Sequence, residues 1–276
     1  MVQTLHYARL DSRSLIALGG PDWRDFLHNL ISQNVETLAV GEIRFGALLT
    51  PQGKVLYDLF VVGREDGCWL DVAAEHRDAI LQRLMIYRLR AKVTIAAEEA
   101  PVTVLFGGGP APGEGWLADP RLPDLGWRGY GLPAPQGLIE GGEADYAAFS
   151  RSLGVPGPAD WGVEQTYPIE ANFDLLDGID FKKGCFVGQE TTSRMKRRGT
   201  VKTRFLPIAF DGETPPPGAE ILAGELRAGV VLSGADGLAM ASLRLDRIAG
   251  ADLSVEGQPA RVVRPDWFDA RMAAPF

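Results

Sequence analysis

Residues 46–62 read GALLTPQGKVLYDLFVV, and this stretch sets the fold. Two apolar runs, 47–49 and 55–62, flank Pro51-Gln52-Gly53-Lys54, whose proline and glycine mark a turn. That pattern predicts a β-hairpin. Successive side chains of a strand point to opposite faces, so Val55, Tyr57, Leu59 and Val61 share one face and Leu56, Asp58, Phe60 and Val62 the other. Asp58 is thus a carboxylate on an otherwise apolar face, where leaving it unpaired is costly. It either holds protein groups by hydrogen bonds or faces a cavity as a ligand contact or general base.

Working outward, residues 68–72 read as a third strand of the meander. Upstream, Gly19-Gly20-Pro21-Asp22 precedes Trp23, Phe26, Leu27, Leu30 and Ile31, apolar positions at helical spacing behind a start signal. A second amphipathic helix is expected over about 75–90, with Ile80, Leu81, Leu84, Tyr87 and Leu89 on or near one face. Strand-like segments follow at 93–96 and 102–106, a glycine-rich loop at 107–115, a helix at 144–153, and an irregular stretch over 153–183. From residue 204 short strands separated by turns take over (205–210, the ETPPPG stretch at 213–218, 229–233, 237–243, 260–263), the pattern of a small antiparallel β-domain. The boundary is placed near residue 203, and no repeat at solenoid periods is visible.

The chain has 276 residues, 46% of them hydrophobic and 23% charged, an ordinary globular composition for which length suggests two domains. Glycine (33) and proline (19) stay below the share that marks low complexity. No apolar run approaches the roughly 18 residues of a membrane span, and residues 1–13 lack the character of a signal or transit peptide. These readings predict a soluble, bacterial cytoplasmic protein with no membrane partner. The two cysteines, Cys68 and Cys185, form no paired pattern, so no disulfide is expected.

Net charge is −8, against a general nucleic-acid binder. Yet residues 182–204 hold Lys182, Lys183, Arg194, Lys196, Arg197, Arg198, Lys202 and Arg204 against the single acid Glu190. This is either a solvated segment pairing with the protein's own acids or a face for an anionic partner. Within it, Cys185 follows a glycine and two lysines. Neighbouring cations stabilise a thiolate, which would make this cysteine nucleophilic or metal-binding; an isolated cysteine is otherwise a small core residue. Cys68, beside Trp69 and Leu70, reads as core. The histidines are only His6, His28 and His76 and there is no Cys-x-x-Cys, so no metal site is expected from this chain alone. A single cysteine can still share a cluster with a partner's ligands. Dinucleotide, phosphate-loop and Gly-x-Ser-x-Gly motifs are absent.

The run Lys183-Gly-Cys-Phe-Val-Gly-Gln-Glu190, followed by Arg194, Arg198-Gly199 and Lys202, closely resembles the signature of the YgfZ family. These are folate-binding proteins related to the glycine-cleavage T protein (GcvT, an aminomethyltransferase) and to a mitochondrial iron–sulfur assembly factor. Residues 26–35, 46–62, 168–172 and the end at Pro265-Asp-Trp267 resemble the family too.

The resemblance implies an α+β, GcvT-like multi-lobed arrangement around a central folate pocket. Residues 1–203 would form two α+β lobes, the second inserted at roughly 93–150, and residues 204–276 a C-terminal antiparallel β-barrel. It implies a tetrahydrofolate-binding accessory protein for iron–sulfur cluster assembly or repair, indirectly supporting tRNA modification. Its partners would be folate and iron–sulfur clients or assembly factors. Cys185 and Asp58 would be the catalytic positions, and Lys183, Gly184, Gly188, Gln189, Glu190 and Arg194 the motif around the thiol. Glu170, Asn172, Asp58 and Tyr146 would meet the folate, while Lys196, Arg197, Arg198 and Lys202 would suit its anionic tail or partner phosphates. The cofactor would be tetrahydrofolate or a derivative, with a transient cluster shared through Cys185. In the aminomethyltransferases a second aspartate precedes the Asp58 position; here it is Tyr57. A true folate-dependent one-carbon transferase is therefore the alternative, and no turnover is assigned. A further alternative, an RNA-binding module, has only Phe186 and Phe205 for base stacking, so a direct nucleic-acid partner is not expected.

Overall fold

The computed structural model describes residues 5–110, 113–199 and 201–274. In chain order the strands are β1 (His6–Arg9), β2 (Arg13–Gly19), β3 (Ile43–Leu49), β4 (Val55–Arg64), β5 (Gly67–Ala73), β6 (Thr94–Glu98), β7 (Val102–Phe106), β8 (Leu117–Ala118), β9 (Trp127–Tyr130), β10 (Ile139–Glu140), β11 (Thr203–Phe210), β12 (Glu220–Ala223), β13 (Leu226–Ala235), β14 (Leu238–Arg244), β15 (Leu253–Val255) and β16 (Gln258–Val262). The helices are α1 (Trp23–His28), α2 (Arg77–Arg88), α3 (Glu143–Ser152), α4 (Pro158–Trp161), α5 (Gln189–Arg198), α6 (Leu245–Ile248) and α7 (Asp266–Ala273).

The 46–62 hairpin is β3–β4, at one edge of an antiparallel sheet of order β3-β4-β5-β2-β6. Its inner alternation is as expected: Leu59 and Val61 pack with α1 and α2, while Phe60 and Val62 face the rest of the molecule. The expected faces invert at the start of the strand, where Leu56 joins the helix-side core and Val55 the other. The cause is a register shift between Leu48 and Leu49, which pair with Tyr57 and Val55; a bulge of one residue re-aims every side chain beyond it. A second sheet, β10-β1-β7-β9-β8, packs on the first through Leu10, Leu15, Val62, Val104 and Phe106. The third unit is a closed barrel, β11-β14-β13-β12-β15-β16, filled by its own apolar core. The arrangement is α+β and multi-lobed, with a C-terminal antiparallel barrel, as expected.

Several elements differ from the sequence reading. The first helix ends at His28, and Ile31 instead bridges to Leu48. The ETPPPG stretch lies between strands, and β12 and β15 complete the barrel. Of the 107–115 loop, residues 111 and 112 lie outside the described residues, as do residues 1–4 of the N-terminal reading. The basic run at 189–198, read only as a charged segment, is the helix α5. Among the described residues no helix is long and apolar enough to cross a membrane.

Candidate functional site

Cys185 is exposed, yet the residues on both sides of it are fixed. Two residues before it, the Lys183 ammonium is buried and donates to the carbonyls of His28, Ile31 (2.7 Å) and Gln33 (3.0 Å), beyond the end of α1. An ammonium has three N–H donors, and all three are used inward. This corrects the expectation that Lys183 is a neighbouring cation for the thiolate: it is a clamp that pins the loop to α1. Burial draws its pKa down to about 8, with Asp180 and Glu36 opposing. Asp180 also accepts from the backbone N–H groups of Lys182 (2.8 Å) and Lys183 (3.2 Å), closing the turn from below.

After the cysteine, Phe186 is buried and α5 begins behind Gly188. Gly188 has φ +82°, and a Cβ there would lie 2.6 Å from the Thr50 carbonyl and 3.0 Å from Gly53 Cα. The hairpin turn and the start of α5 therefore meet backbone to backbone, a contact only glycine permits. Gln189 reaches back toward the Gly184 carbonyl (3.4 Å), while Glu190 and Arg194 are exposed on α5. Gly184 lies against the buried His28 ring, whose Nε2 would be 3.7 Å from a Cβ at that glycine. Burial lowers the His28 pKa, and the Lys183 ammonium lowers it further. Cys68 is buried in the core, where burial raises its thiol pKa well above the ordinary value.

The other cations of the segment divide into two sets. Lys196 and Arg204 both bind the Asp174 carboxylate, at 2.9 and 2.5 Å, and Arg204 also reaches the Ile169 carbonyl. These two anchor α5 and β11 to the 171–177 turn. Arg197, Arg198 and Lys202 are exposed. A groove of about 1010 Å³ runs along α5, bordered by Lys182, Glu190 and Arg197 and by Arg271 from α7.

A second concavity, of about 260 Å³, lies where the two sheets and the barrel meet. Asp58 and Tyr146 both line it, with Arg13 from β2, Arg121 and Arg128 from the second-sheet lobe, Asp160 from α4 and Ser233 from β13. Asp58 is not alone: Arg13 bridges Asp58 (2.8 Å) and Asp71 (2.6 Å), and Arg128 bridges Asp71 (2.6 Å) and Asp119 (3.5 Å). Arg121 pairs with Asp119 (2.8 Å) and donates to the Tyr146 hydroxyl (3.1 Å). Three guanidiniums thus face three carboxylates around the Phe60 ring, with Arg128 4.0 Å above its centroid. Burial alone would raise the pKa of Asp71, but Arg13 and Arg128 more than reverse this and hold it low. Asp160, buried with Ser233 and the Gly157 N–H as donors, is pushed up by desolvation.

Glu170 and Asn172 do not border this cavity. Glu170 is half-buried, accepts from the Tyr167 N–H (3.2 Å) and is raised in pKa by burial. Asn172 is buried at φ +63° and donates to the Phe205 carbonyl (2.7 Å), tying the turn to the first barrel strand. None of the cavity's cations comes from residues 182–204. The expected folate positions therefore split into a cavity pair and a turn pair, and the basic segment lies apart from both. The Arg13–Asp71–Arg128–Asp119 chain escaped the sequence reading; its one legible sign was Asp58 on an apolar strand face.

The family described as CAF17, C-terminal beta-barrel domain, matches residues 202–270. A solved structure of the glycine cleavage system aminomethyltransferase T from Bartonella henselae superposes with a TM-score of 0.76, at 17% identity, over 96% of this chain and 87% of that one; this likeness concerns the fold. The iron-sulfur cluster assembly factor IBA57, mitochondrial, of Homo sapiens is 29% identical over 94% of this chain and 84% of its own length. The corresponding homologue of Phaeosphaeria nodorum is 33% identical, and the chain spans 55% of its length. These relatives are named as mitochondrial proteins, which overturns the expectation of a bacterial cytoplasmic setting. The IBA57 homologue of Pyricularia oryzae is 31% identical over 93% of this chain and 76% of its own length. With that coverage joined to the GcvT-like fold, the chain belongs to the IBA57 family.

Proposed function

We propose that the protein is an iron–sulfur cluster assembly factor of YgfZ type, with Cys185 as the thiol that meets the cluster and the central cavity as the seat of a tetrahydrofolate. The supporting observation is the construction of the thiol loop: an exposed sulfur between a three-carbonyl lysine clamp and a glycine–glycine contact. A side chain so fixed and yet open to solvent is suited to an incoming ligand. The names of the relatives point the same way. For the sulfur to bond an iron of the incoming cluster, the S–H bond would break with its proton passing to solvent, and the thiolate would replace one ligand that the cluster brings on that iron, which stays with the protein that carried it. Clusters of this kind take four protein ligands, and among the described residues no group of three or more His, Cys, Asp or Glu is arranged to hold a metal. The cluster is therefore cargo shared with a second protein. Any effect on tRNA modification is indirect, through a cluster-dependent tRNA-thiolating client.

Replacing Cys185 by Ser is expected to abolish the in-cell activity of such a client while the purified variant keeps the wild-type urea midpoint. Wild-type client activity in Cys185→Ser would remove the thiol from the mechanism.

For the cavity, a flat, hydrogen-bonding heterocycle suits a small space whose charges already cancel. The cavity is slightly smaller than the usual range for whole drug-sized ligands, so it would take the ring and leave the tail outside. Ala147 lines it from the exposed side of α3. Anaerobic calorimetry is expected to show saturable tetrahydrofolate binding to wild type and none to Ala147→Trp, with Glu170→Ala unchanged. Loss in Glu170→Ala with full binding by Ala147→Trp would move the ligand out of the cavity.

A further inference from the structure

The second helix of the first lobe ends in an apolar tip that the rest of the chain leaves bare. Ile80 and Leu84 of α2 are buried against the sheet, but Met85, Ile86, Tyr87 and Leu89 are exposed, Ile86 by 72% and Leu89 by 86%. Met85 and Ile86 share a flank with Leu89, which stands one turn on, just past the last helical residue. Earlier on that flank Asp78 and Gln82 are exposed and polar, so the apolar surface is the end of the helix and not its length. Single exposed apolar residues are ordinary, whereas a contiguous group marks a contact surface.

The charge around the tip points to what it meets. Between residues 77 and 92 the cations are Arg77, Arg83, Arg88, Arg90 and Lys92, against the single acid Asp78. Asp78 lies at the start of α2, where Arg77 pairs with Glu99 (3.0 Å). The other four cations are at the tip end, with Arg83 over the Tyr87 ring at 5.6 Å. Among the described residues none of these four side chains pairs with a carboxylate. The chain has 36 acids to 28 Lys and Arg, so four cations left without an acid in one place are set for an anionic surface outside the molecule.

We propose that the tip of α2 seats the protein on an anionic lipid surface. Arginine and lysine lay their stems along apolar surface and keep their charged heads at the phosphates. An apolar wedge with cations on its shoulders and a tyrosine beside it therefore matches the boundary between headgroups and acyl chains. A convex helix end of four apolar side chains falls short of the roughly 20–30 residues that each side of a stable protein interface supplies. A fluid headgroup layer closes around such a tip, and no spanning segment is needed. The seat is independent of what Cys185 does. α2 packs on β2 and β6, while the thiol loop meets the turn between β3 and β4, at the other edge of the sheet. Four strand spacings of about 4.8 Å separate those edges, so contact at one leaves the other open.

Flotation of the full-length chain with phosphatidylcholine vesicles, with and without phosphatidylglycerol, tests the seat. Wild type is expected to bind the mixed vesicles at least about tenfold more tightly than the neutral ones, and less tightly as salt is raised. One cation near such a surface is worth about fivefold, so Arg88→Glu/Arg90→Glu should cost at least about twentyfold. Ile86→Ser/Leu89→Ser should cost at least about tenfold, and in Ile86→Trp the added fluorescence should shift to the blue on mixed vesicles. Leu226→Ser on the barrel and Arg197→Glu/Arg198→Glu on α5 alter exposed residues elsewhere and should bind as wild type. An unchanged urea midpoint confirms that each variant is folded. No binding by wild type, equal binding by the tip variants, or loss in the α5 variant alone overturns the seat. Sedimentation velocity reads the rival occupant. A concentration-dependent dimer that Ile86→Ser/Leu89→Ser dissolves overturns the seat too and makes the tip a contact between copies of the chain.

Discussion

Asp71→Ala is expected to lower the free energy of unfolding by about 3–5 kcal/mol, the usual cost of breaking a buried ion pair from one side. Asp71 is wholly buried; it accepts from Arg13 (2.6 Å) on one oxygen and from Arg128 (2.6 Å) and the Tyr130 hydroxyl (3.0 Å) on the other. Removing it leaves two guanidiniums in the interior with one carboxylate fewer, and neither can shed its proton. For a chain of this size that loss corresponds to about 5–9 °C in Tm. Asp71→Asn keeps the shape and one acceptor oxygen, so it should fall between wild type and alanine. The pH dependence has a definite sign. Because the folded-state pKa of Asp71 is depressed, its stabilising share is whole above the unfolded value of about 3.9 and is lost as pH falls through the folded one. A urea series at pH 7 measures the first effect. A loss under about 1 kcal/mol in Asp71→Ala would show that the network contributes little beyond its own desolvation cost.

The contrast between Asp58 and its partners shows which part of this site a sequence can carry. Strand alternation is local, so the 46–62 stretch was enough to predict the hairpin and to single out Asp58 as a carboxylate out of place. Its partner Arg13 lies 45 residues upstream, and Arg128 and Asp119 come from another lobe. No periodicity connects them, and the network exists only once the two sheets pack. The barrel was legible for a similar reason: its turns are punctuated by glycine and proline. β12 and β15 were not, because each is only three or four residues long. Within the thiol motif the residue types were legible but one role was not. Lys183 and Lys182 look equivalent in sequence, yet one points inward to three carbonyls and the other lies exposed, a difference set by the chain reversal after α1. In the basic run, likewise, charge gave no sign that Lys196 and Arg204 share the buried Asp174 while Arg197 and Arg198 face solvent.

The Lys183 clamp leads to the second large expected effect, one that joins stability to function. Lys183→Met keeps the volume of the stem but leaves the carbonyls of His28, Ile31 and Gln33 without their donor. An unsatisfied buried acceptor costs about 1–3 kcal/mol; part of the sum is returned because a cation no longer has to be desolvated, so a net loss of about 2–4 kcal/mol is expected. The alkaline behaviour separates the clamp from a surface lysine. The folded-state pKa is depressed to about 8 from 10.5, so between those values the unfolded chain binds a proton that the folded chain does not. Stability from this group therefore rises with pH across that window: a neutral amine has no charge to desolvate and still donates two N–H bonds. The gap between wild type and Lys183→Met should widen from pH 8 toward 10.5 in urea titrations, and a gap that closes instead would mean that the ammonium is stabilised in place. The functional outcome is measured at pH 7 and at a temperature where the variant is fully folded. Cys185 then keeps its thiol but loses the anchor two residues before it, and cluster transfer should fall with the sulfur still reactive toward a small thiol reagent. Transfer at the wild-type rate in that variant would mean that the partner positions the loop, and that the clamp serves the fold alone.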